Sequence, residues 1–444
     1  MSRTVIAGFG SAGYAALVTI KRNNPKAELV IVDPKEQDLV HPCGLPYALE
    51  DIVDDNSLQQ DINLSRMGVE KIPAYATGIN PDLKQLTWSD GSQEGSVEYD
   101  DLLICTGSVP FVPPIEGVSS FLNKGVYTLT SVSELHLLKE AAKNSKQAVV
   151  IGAGAIGLES AVALKTLGLD TTVIEMQDTV LPGVLDADMA KPVQLYLDEL
   201  GIEVIRGTAV DAVEGNNNVT TVVAGDMRIG ADLVVLASGF RPNSTWLEGL
   251  SLDMDRMGGI KVNDRLETGL PGVYAAGDCI SLWSVIDKGP VGAKLATSAY
   301  KQGIVAGTSM SGGKGEYLGT AGTFVTKVGQ LEVAGTGFTM ETAKARGFKP
   351  VQGKITSYIL PEYFPGGNDI TVKIICDNNS GVVLGGQAVG TSGAAERINI
   401  ISMAIEYGTD IHRLGRLEMA YCPPVSEVHD PLMRAVEFAI RRIR

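Results

Sequence analysis

The stretch TVIAGFGSAGYAALVTI, residues 4–20, opens on β-branched residues, passes through Gly8, Gly10 and Gly13, and continues in helix-forming residues. AVVIGAGAIGLESAVAL, residues 148–164, repeats that design with Gly152, Gly154 and Gly157. In a strand, turn and helix of this kind the first glycine makes the tight turn, the second lets a diphosphate approach the backbone, and the third permits close helix packing. The diphosphate then meets the free amides and favourable dipole of a helix N-terminus. Each copy also ends its second strand in an acid. Asp33 closes ELVIVD, 20 residues after Gly13, and Glu175 closes TTVIE, 18 after Gly157. A carboxylate there accepts hydrogen bonds from the hydroxyls of an adenosine ribose. Two such units predict an α/β chain with two Rossmann-like dinucleotide-binding domains.

At 444 residues the chain is too long for one core, and 44% hydrophobic residues is ordinary for a soluble globular protein. No run of roughly 18 apolar residues or secretory leader is visible, so a soluble, cytoplasmic protein with no membrane contact is expected. A net charge of −15 argues against broad nucleic-acid or anionic-membrane binding, which needs a basic surface. An anionic ligand must therefore be held locally, by backbone amides or a few placed cations. The five cysteines, Cys43, Cys105, Cys279, Cys376 and Cys422, are scattered without a C-x-x-C pair, which suggests neither a disulfide scaffold nor a metal site. Cys105 in LLICTG and Cys376 in VKIIC read as core residues.

Beside Glu175 stand Met176, Gln177 and Asp178, with no neighbouring lysine or arginine for a 2′-phosphate, which favours NADH over NADPH at the second site. Two dinucleotide folds suggest a bound flavin and a transient nicotinamide. GVYAAGDC, residues 272–279, adds a strand ending in Gly277 and Asp278.

The order GFGSAG, LLICTG, GAGAIG and VYAAGD resembles the FAD-dependent pyridine nucleotide-disulfide oxidoreductases over nearly the whole chain. The resemblance implies FAD at Gly8, Gly10, Ser11, Ala12, Gly13, Asp33 and Pro34, with Thr106 and Gly107 at the return crossing. Gly277 and Asp278 would lie at the flavin's ribityl region. It implies NADH at Gly152, Gly154, Ala155, Ile156, Gly157 and Glu175, with Glu159 near the nicotinamide. The FAD domain would comprise residues 1–115 and 245–320 and the NAD(H) domain 116–244. Residues 321–444 would form an α+β dimerisation domain that makes a homodimer and sends its tail to the partner's site.

Cys43, in LVHPCGLPYAL, follows Asp33 by ten residues, where disulfide reductases of this family carry C-x-x-x-x-C; Ala48 occupies the second cysteine's place. The chain thus resembles the single-cysteine branch, which holds coenzyme A-disulfide reductases, NADH oxidases and NADH peroxidases. A cysteine opening a helix is expected to ionise easily, because the positive end of the helix stabilises thiolate. His41 nearby reads as a surface or supporting histidine, and His429 as an interface one. Where oxidases and peroxidases carry a histidine in the first glycine loop, this chain has Ser11. CGLPY resembles the C-x-L-P-Y of coenzyme A-disulfide reductases. Tyr363 in EYFPGG and Tyr421 in AYCPPV match tyrosines that the partner subunit brings to the cysteine, where a phenol can assist a leaving thiolate. The implied activity is NAD(P)H-dependent reduction of a small-molecule thiol's disulfide or persulfide, of the coenzyme A type, through Cys43, Tyr421 and Tyr363. The alternatives are an NADH oxidase or peroxidase using a cysteine sulfenic acid, or a flavin electron-transfer or redox-sensor protein. Lys21, Arg22, Arg66 and Lys71 are candidate cations for the coenzyme A phosphates.

Overall fold

The computed structural model describes residues 2–443. The β-branched run Arg3–Ala7 is the middle strand of a parallel five-stranded sheet, between Glu28–Val32 and Asp101–Ile104, with Val69–Ile72 and Val273–Ala275 at the edges. A strand in the middle of such a sheet is covered on both faces and so must be apolar throughout. Val5, Ile6 and Ala7 are wholly buried. Gln147–Ile151 takes the same place in a second parallel sheet, between Asp170–Ile174 and Leu233–Leu236, with Glu203–Ile205 and Val126–Tyr127 outermost.

The repetition extends beyond the glycines. Each parallel sheet is interrupted by a three-stranded antiparallel sheet, Tyr75–Asn80, Gln85–Ser89 and Glu94–Glu98 in the first. In the second it is Ala212–Gly215, Val219–Ala224 and Met227–Gly230, with Asn216 to Asn218 as the hairpin turn. The chain leaves the first sheet through Ser108–Pro110 and returns through Phe240–Pro242, and these segments pair as one antiparallel ribbon. A third, antiparallel sheet of Phe324–Val328, Leu331–Gly337, Val383–Gly390, Asp369–Asp377 and Pro350–Tyr358 packs against the helices Ala394–Glu406 and Pro431–Ile440. The class is α/β, two Rossmann-like units followed by an α+β unit.

Two close fits, one within the first unit and one between the second and third, hold the fold together. The helix Ala296–Met310 lies on the helix of the first glycine loop, Ser11–Asn23, so closely that a Cβ at Gly303 would stand 2.1 Å from the Ala12 carbonyl oxygen. Between the second and third units stands Lys373, 1% exposed. Its Nζ lies 2.9 Å from Asp186 Oδ2 and 2.5 Å from Asp188 Oδ1, and Gln387 Nε2 donates to the same Asp186 oxygen at 2.9 Å. A buried ammonium is tolerated only where carboxylates and hydrogen bonds replace its water. Removing one partner of such a group costs about 3–5 kcal/mol. Lys373→Met is therefore expected to lower the denaturant midpoint clearly; a midpoint unchanged from the parent chain would contradict the role given to this lysine.

Candidate functional site

Both glycine loops obey one steric rule. A Cβ at Gly8, where φ is +90°, would lie 2.4 Å from the Cys105 carbonyl oxygen, and one at Gly152, φ +107°, would lie 2.5 Å from that of Ala237. A Cβ at Gly13 would meet the Gly8 oxygen at 2.7 Å, and one at Gly157 the Gly152 oxygen at 2.0 Å. Gly10 and Gly154, by contrast, have nothing within 4 Å of that position. Neither Gly10 nor Gly154, the residues before the two helices, makes a side-chain cap, so the first amides are not satisfied by a side chain. Bare backbone, open space and free amides are what a diphosphate requires, and both loops offer them.

The two acids are held alike. Asp33 is 3% exposed; its Oδ2 accepts from the Phe9 amide at 2.6 Å and its Oδ1 from the Lys35 amide at 3.0 Å. Glu175, 5% exposed, accepts from the Ala153 amide at 2.7 Å and the Gln177 amide at 2.9 Å. They differ in their company. Lys35 Nζ lies within 2.7 Å of both Asp33 oxygens, whereas among the described residues no cation bonds Glu175. The nearby arginine absent from the local sequence arrives from the adjacent strand: Arg206 Nη1 donates to the Asp178 carbonyl at 3.1 Å.

On the flavin-type side, the first sheet brings Thr106, Gly107, Gly277 and Asp278 together. Ser108 Oγ donates to Asp278 Oδ2 at 3.0 Å, the Gly277 amide donates to Gln302 Oε1 at 2.7 Å, and Thr106 Oγ1 donates to the Asn243 carbonyl at 2.7 Å. The carbonyl of Asp278 accepts from Lys294 Nζ. Pro34 adjoins Asp33 at the end of its strand.

Cys43 and Cys422 are the exposed cysteines among the described residues. Burial pushes Cys279 up to about 11, Cys376 up to about 12 and Cys105 well above the ordinary thiol range, which makes these three inert. Cys43 lies in the single 3₁₀ turn Pro42–Gly44, and the helix that follows, Leu45–Leu49, has five residues. So short a helix carries little dipole, and the expectation of an easily ionised thiol fails. The Cys43 thiol is instead pushed up, first by burial, then by the carboxylates of Glu159 and Asp278. The residue presents surface to solvent yet is surrounded on most sides by protein, and the second circumstance governs its ionisation.

Glu159 joins all three units. Thr326 Oγ1, from the third sheet, donates to Glu159 Oε1 at 2.6 Å, and Tyr47 Oη, four residues after Cys43, donates to the same oxygen at 3.2 Å. The shorter contact is in the range of a charge-assisted bond, so Thr326 is the main anchor. Burial raises the Glu159 carboxyl, while Thr326, Tyr47 and the Lys327 amide oppose the rise. Burial and the same carboxylate push the Tyr47 phenol far up, so it serves as a donor.

The remaining candidates are scattered over the surface of the subunit. Tyr363 and Tyr421 are both exposed, and their hydroxyls lie 3.3 Å apart. His41 and His429 are exposed, and Asp430 behind His429 is spent in a buried pair with Arg397 and in capping the last helix. Of the four cations suggested for coenzyme A, Lys21 donates to the carbonyls of Ala27 and Gly68, and Lys71 to those of Glu36 and Gln37, so both serve the fold. Among the described residues no cluster could hold a metal, and no helix is long and apolar enough to cross a membrane. Sequence reasoning missed Thr326, Lys35 and Lys294, and it met Tyr47 only as the last residue of CGLPY, without a role.

Replacing the Glu159 carboxylate by an uncharged amide removes a negative charge that disfavours the neighbouring thiolate. Glu159→Gln is thus expected to shift Cys43 alkylation to lower pH and to make it severalfold faster near neutrality. An unaltered pH profile of iodoacetamide labelling would show that the two groups do not interact.

Two family models cover the chain: pyridine nucleotide-disulphide oxidoreductase over residues 2–303, and the dimerisation domain of the same family over residues 323–432. The chain is 34% identical over 450 residues to an NADH oxidase of Methanocaldococcus jannaschii, covering 99% of each protein. It is 30% identical to an NAD(P)H coenzyme A polysulfide/persulfide reductase of Pyrococcus horikoshii, covering 97% of each. Among solved structures, an NAD-dependent persulfide reductase from A. fulgidus superposes with a TM-score of 0.95 at 33% identity, covering 99% of this chain and 83% of the other. The chain is an NAD(P)H-dependent flavin oxidoreductase, and it belongs to the pyridine nucleotide-disulphide oxidoreductase family.

Proposed function

We propose that the protein is a homodimeric, cytoplasmic FAD enzyme that uses NADH to reduce a low-molecular-weight disulfide or persulfide of the coenzyme A type through Cys43 alone. The observation that supports this reading is the reachable thiol of Cys43, with Ala48 where a resolving cysteine would stand, pushed up by burial and by the Glu159 carboxylate that Tyr47 and Thr326 hold. The names of the relatives from P. horikoshii and A. fulgidus, both persulfide reductases, support it.

FAD would be held by the first loop, Asp33, Thr106, Gly107 and Asp278, and NADH by the second loop and Glu175. When bound, the flavin supplies a two-electron carrier between nicotinamide and sulfur. The chain's own part begins at Cys43. Its thiolate attacks one sulfur of the disulfide RSSR, forming Cys43–S–S–R and expelling RS⁻, which takes its proton from a phenol, Tyr421 foremost and Tyr363 beside it. The mixed disulfide then accepts two electrons and the second R-thiol leaves. The sum is NADH + H⁺ + RSSR → NAD⁺ + 2 RSH.

Burial and two carboxylates disfavour the resting thiolate, so attack by Cys43 gains from rising pH. Glu175 repels a 2′-phosphate while Arg206 is engaged by the Asp178 carbonyl, and this supports NADH over NADPH. The two bonded tyrosines, with exposed Val425 and Val428, form the patch offered to a second subunit. Domain limits of 1–115 with 245–320, 116–244 and 321–444 accord with this division of labour.

Ser11 in place of a loop histidine argues against oxygen or peroxide as acceptor, although the M. jannaschii relative is named an oxidase. NADH consumption compared under air, peroxide and coenzyme A disulfide tests the reading. Rapid turnover with the disulfide, lost about 10³-fold or more in Cys43→Ser, is expected. Fast oxygen turnover without disulfide activity, or a Cys43→Ser variant of undiminished disulfide activity, would refute it.

A further inference from the structure

A cavity of about 450 Å³ opens between the two dinucleotide units, with Gly154, Ala155 and Ile156 of the second glycine loop on one wall. Lys294, two residues before the helix Ala296–Met310 that packs on the helix of the first glycine loop, lines the same cavity. Among the residues lining this cavity Lys294 is the sole cation and Asp255 the sole carboxylate. In a chain of net charge −15, a half-buried lysine lining the same cavity as an uncapped helix start is a placed cation of the kind an anionic ligand needs. The four cations that stand out in the sequence lie elsewhere, and two of them are spent on backbone carbonyls.

We propose that Lys294 is a positioning residue for the nicotinamide dinucleotide, its ammonium binding the diphosphate that the second loop's amides hold from the opposite side. One N–H of Lys294 already donates to the Asp278 carbonyl, leaving two donors for the cavity. By that bond the lysine ties the nicotinamide's anchor to the main chain of the flavin-side motif. Diphosphate and flavin site are thereby placed by a single side chain. Burial disfavours the ammonium, and the Asp278 and Asp255 carboxylates only partly offset this. An incoming anion adds the compensation that is missing.

The inference rests on the second glycine loop being the nicotinamide site. Calorimetric titration of the purified protein with NAD⁺, which binds without reducing the flavin, tests it apart from any acceptor. Lys294→Met is expected to weaken NAD⁺ binding about ten- to a hundredfold, the range for one charge-assisted hydrogen bond, with flavin content unchanged. Lys294→Arg should recover most of the affinity. The wild-type affinity should fall more steeply with salt than that of the methionine variant. In steady state the loss should fall on KM for NADH more than on kcat. A folded Lys294→Met protein that binds NAD⁺ within twofold of the wild type overturns the proposal. So does a variant whose weakened binding follows loss of FAD, because Lys294 would then serve the flavin loop. A wild-type protein that binds no NAD⁺ would instead sink the assignment of the second loop.

Discussion

A diphosphate can lie against polypeptide only where no side chain intervenes, and that steric constraint is imposed twice in this molecule. At Gly8 and Gly152 the turn runs so close to the next strand that a methyl group would enter a carbonyl oxygen, and at Gly13 and Gly157 the helix rests on the loop itself. The central strands must be apolar on both faces to bring those turns to the sheet's edge, and the acids at Asp33 and Glu175 are fixed by amides of the same turns. Everything that places Cys43 and Glu159 follows from having two such loops. One lies near the start of the chain and the other is carried in by the ribbon of Ser108–Pro110 and Phe240–Pro242.

The electrostatics of the site run against easy chemistry. Cys43 sits where burial, Glu159 and Asp278 all oppose its ionisation, and Glu159 is itself disfavoured as an anion by burial. Polar groups from two other units oppose that cost: Thr326 at 2.6 Å and Tyr47 at 3.2 Å. A thiol that stays protonated at rest resists adventitious oxidation, since thiolate is the reactive form.

What was legible in the sequence is what short stretches of backbone dictate. The glycine spacing and the acid at the second strand's end are local requirements, so their residues lie close together in the chain. Ala48 could be read as an absent cysteine for the same reason. Thr326 meets Glu159 across 167 positions and Tyr47 across 112, distances at which no periodicity or motif carries information. The sign of the effect at Cys43 was misjudged because the local argument saw a helix start. Burial by distant parts of the chain comes first, and the carboxylates that add to it arrive from the second glycine helix and from the strand end at Asp278. Lys294 was hidden in the same way, as an ordinary lysine until the fold brings it to the cavity that Gly154 also lines.

The central claim is that one sulfur carries the substrate. Treating the oxidised protein with less than one equivalent of coenzyme A disulfide, and weighing its peptides without reductant, examines that claim directly. The account predicts a coenzyme A adduct on the peptide bearing Cys43, discharged when NADH is added. An adduct confined to Cys422, or none on any cysteine, would contradict it.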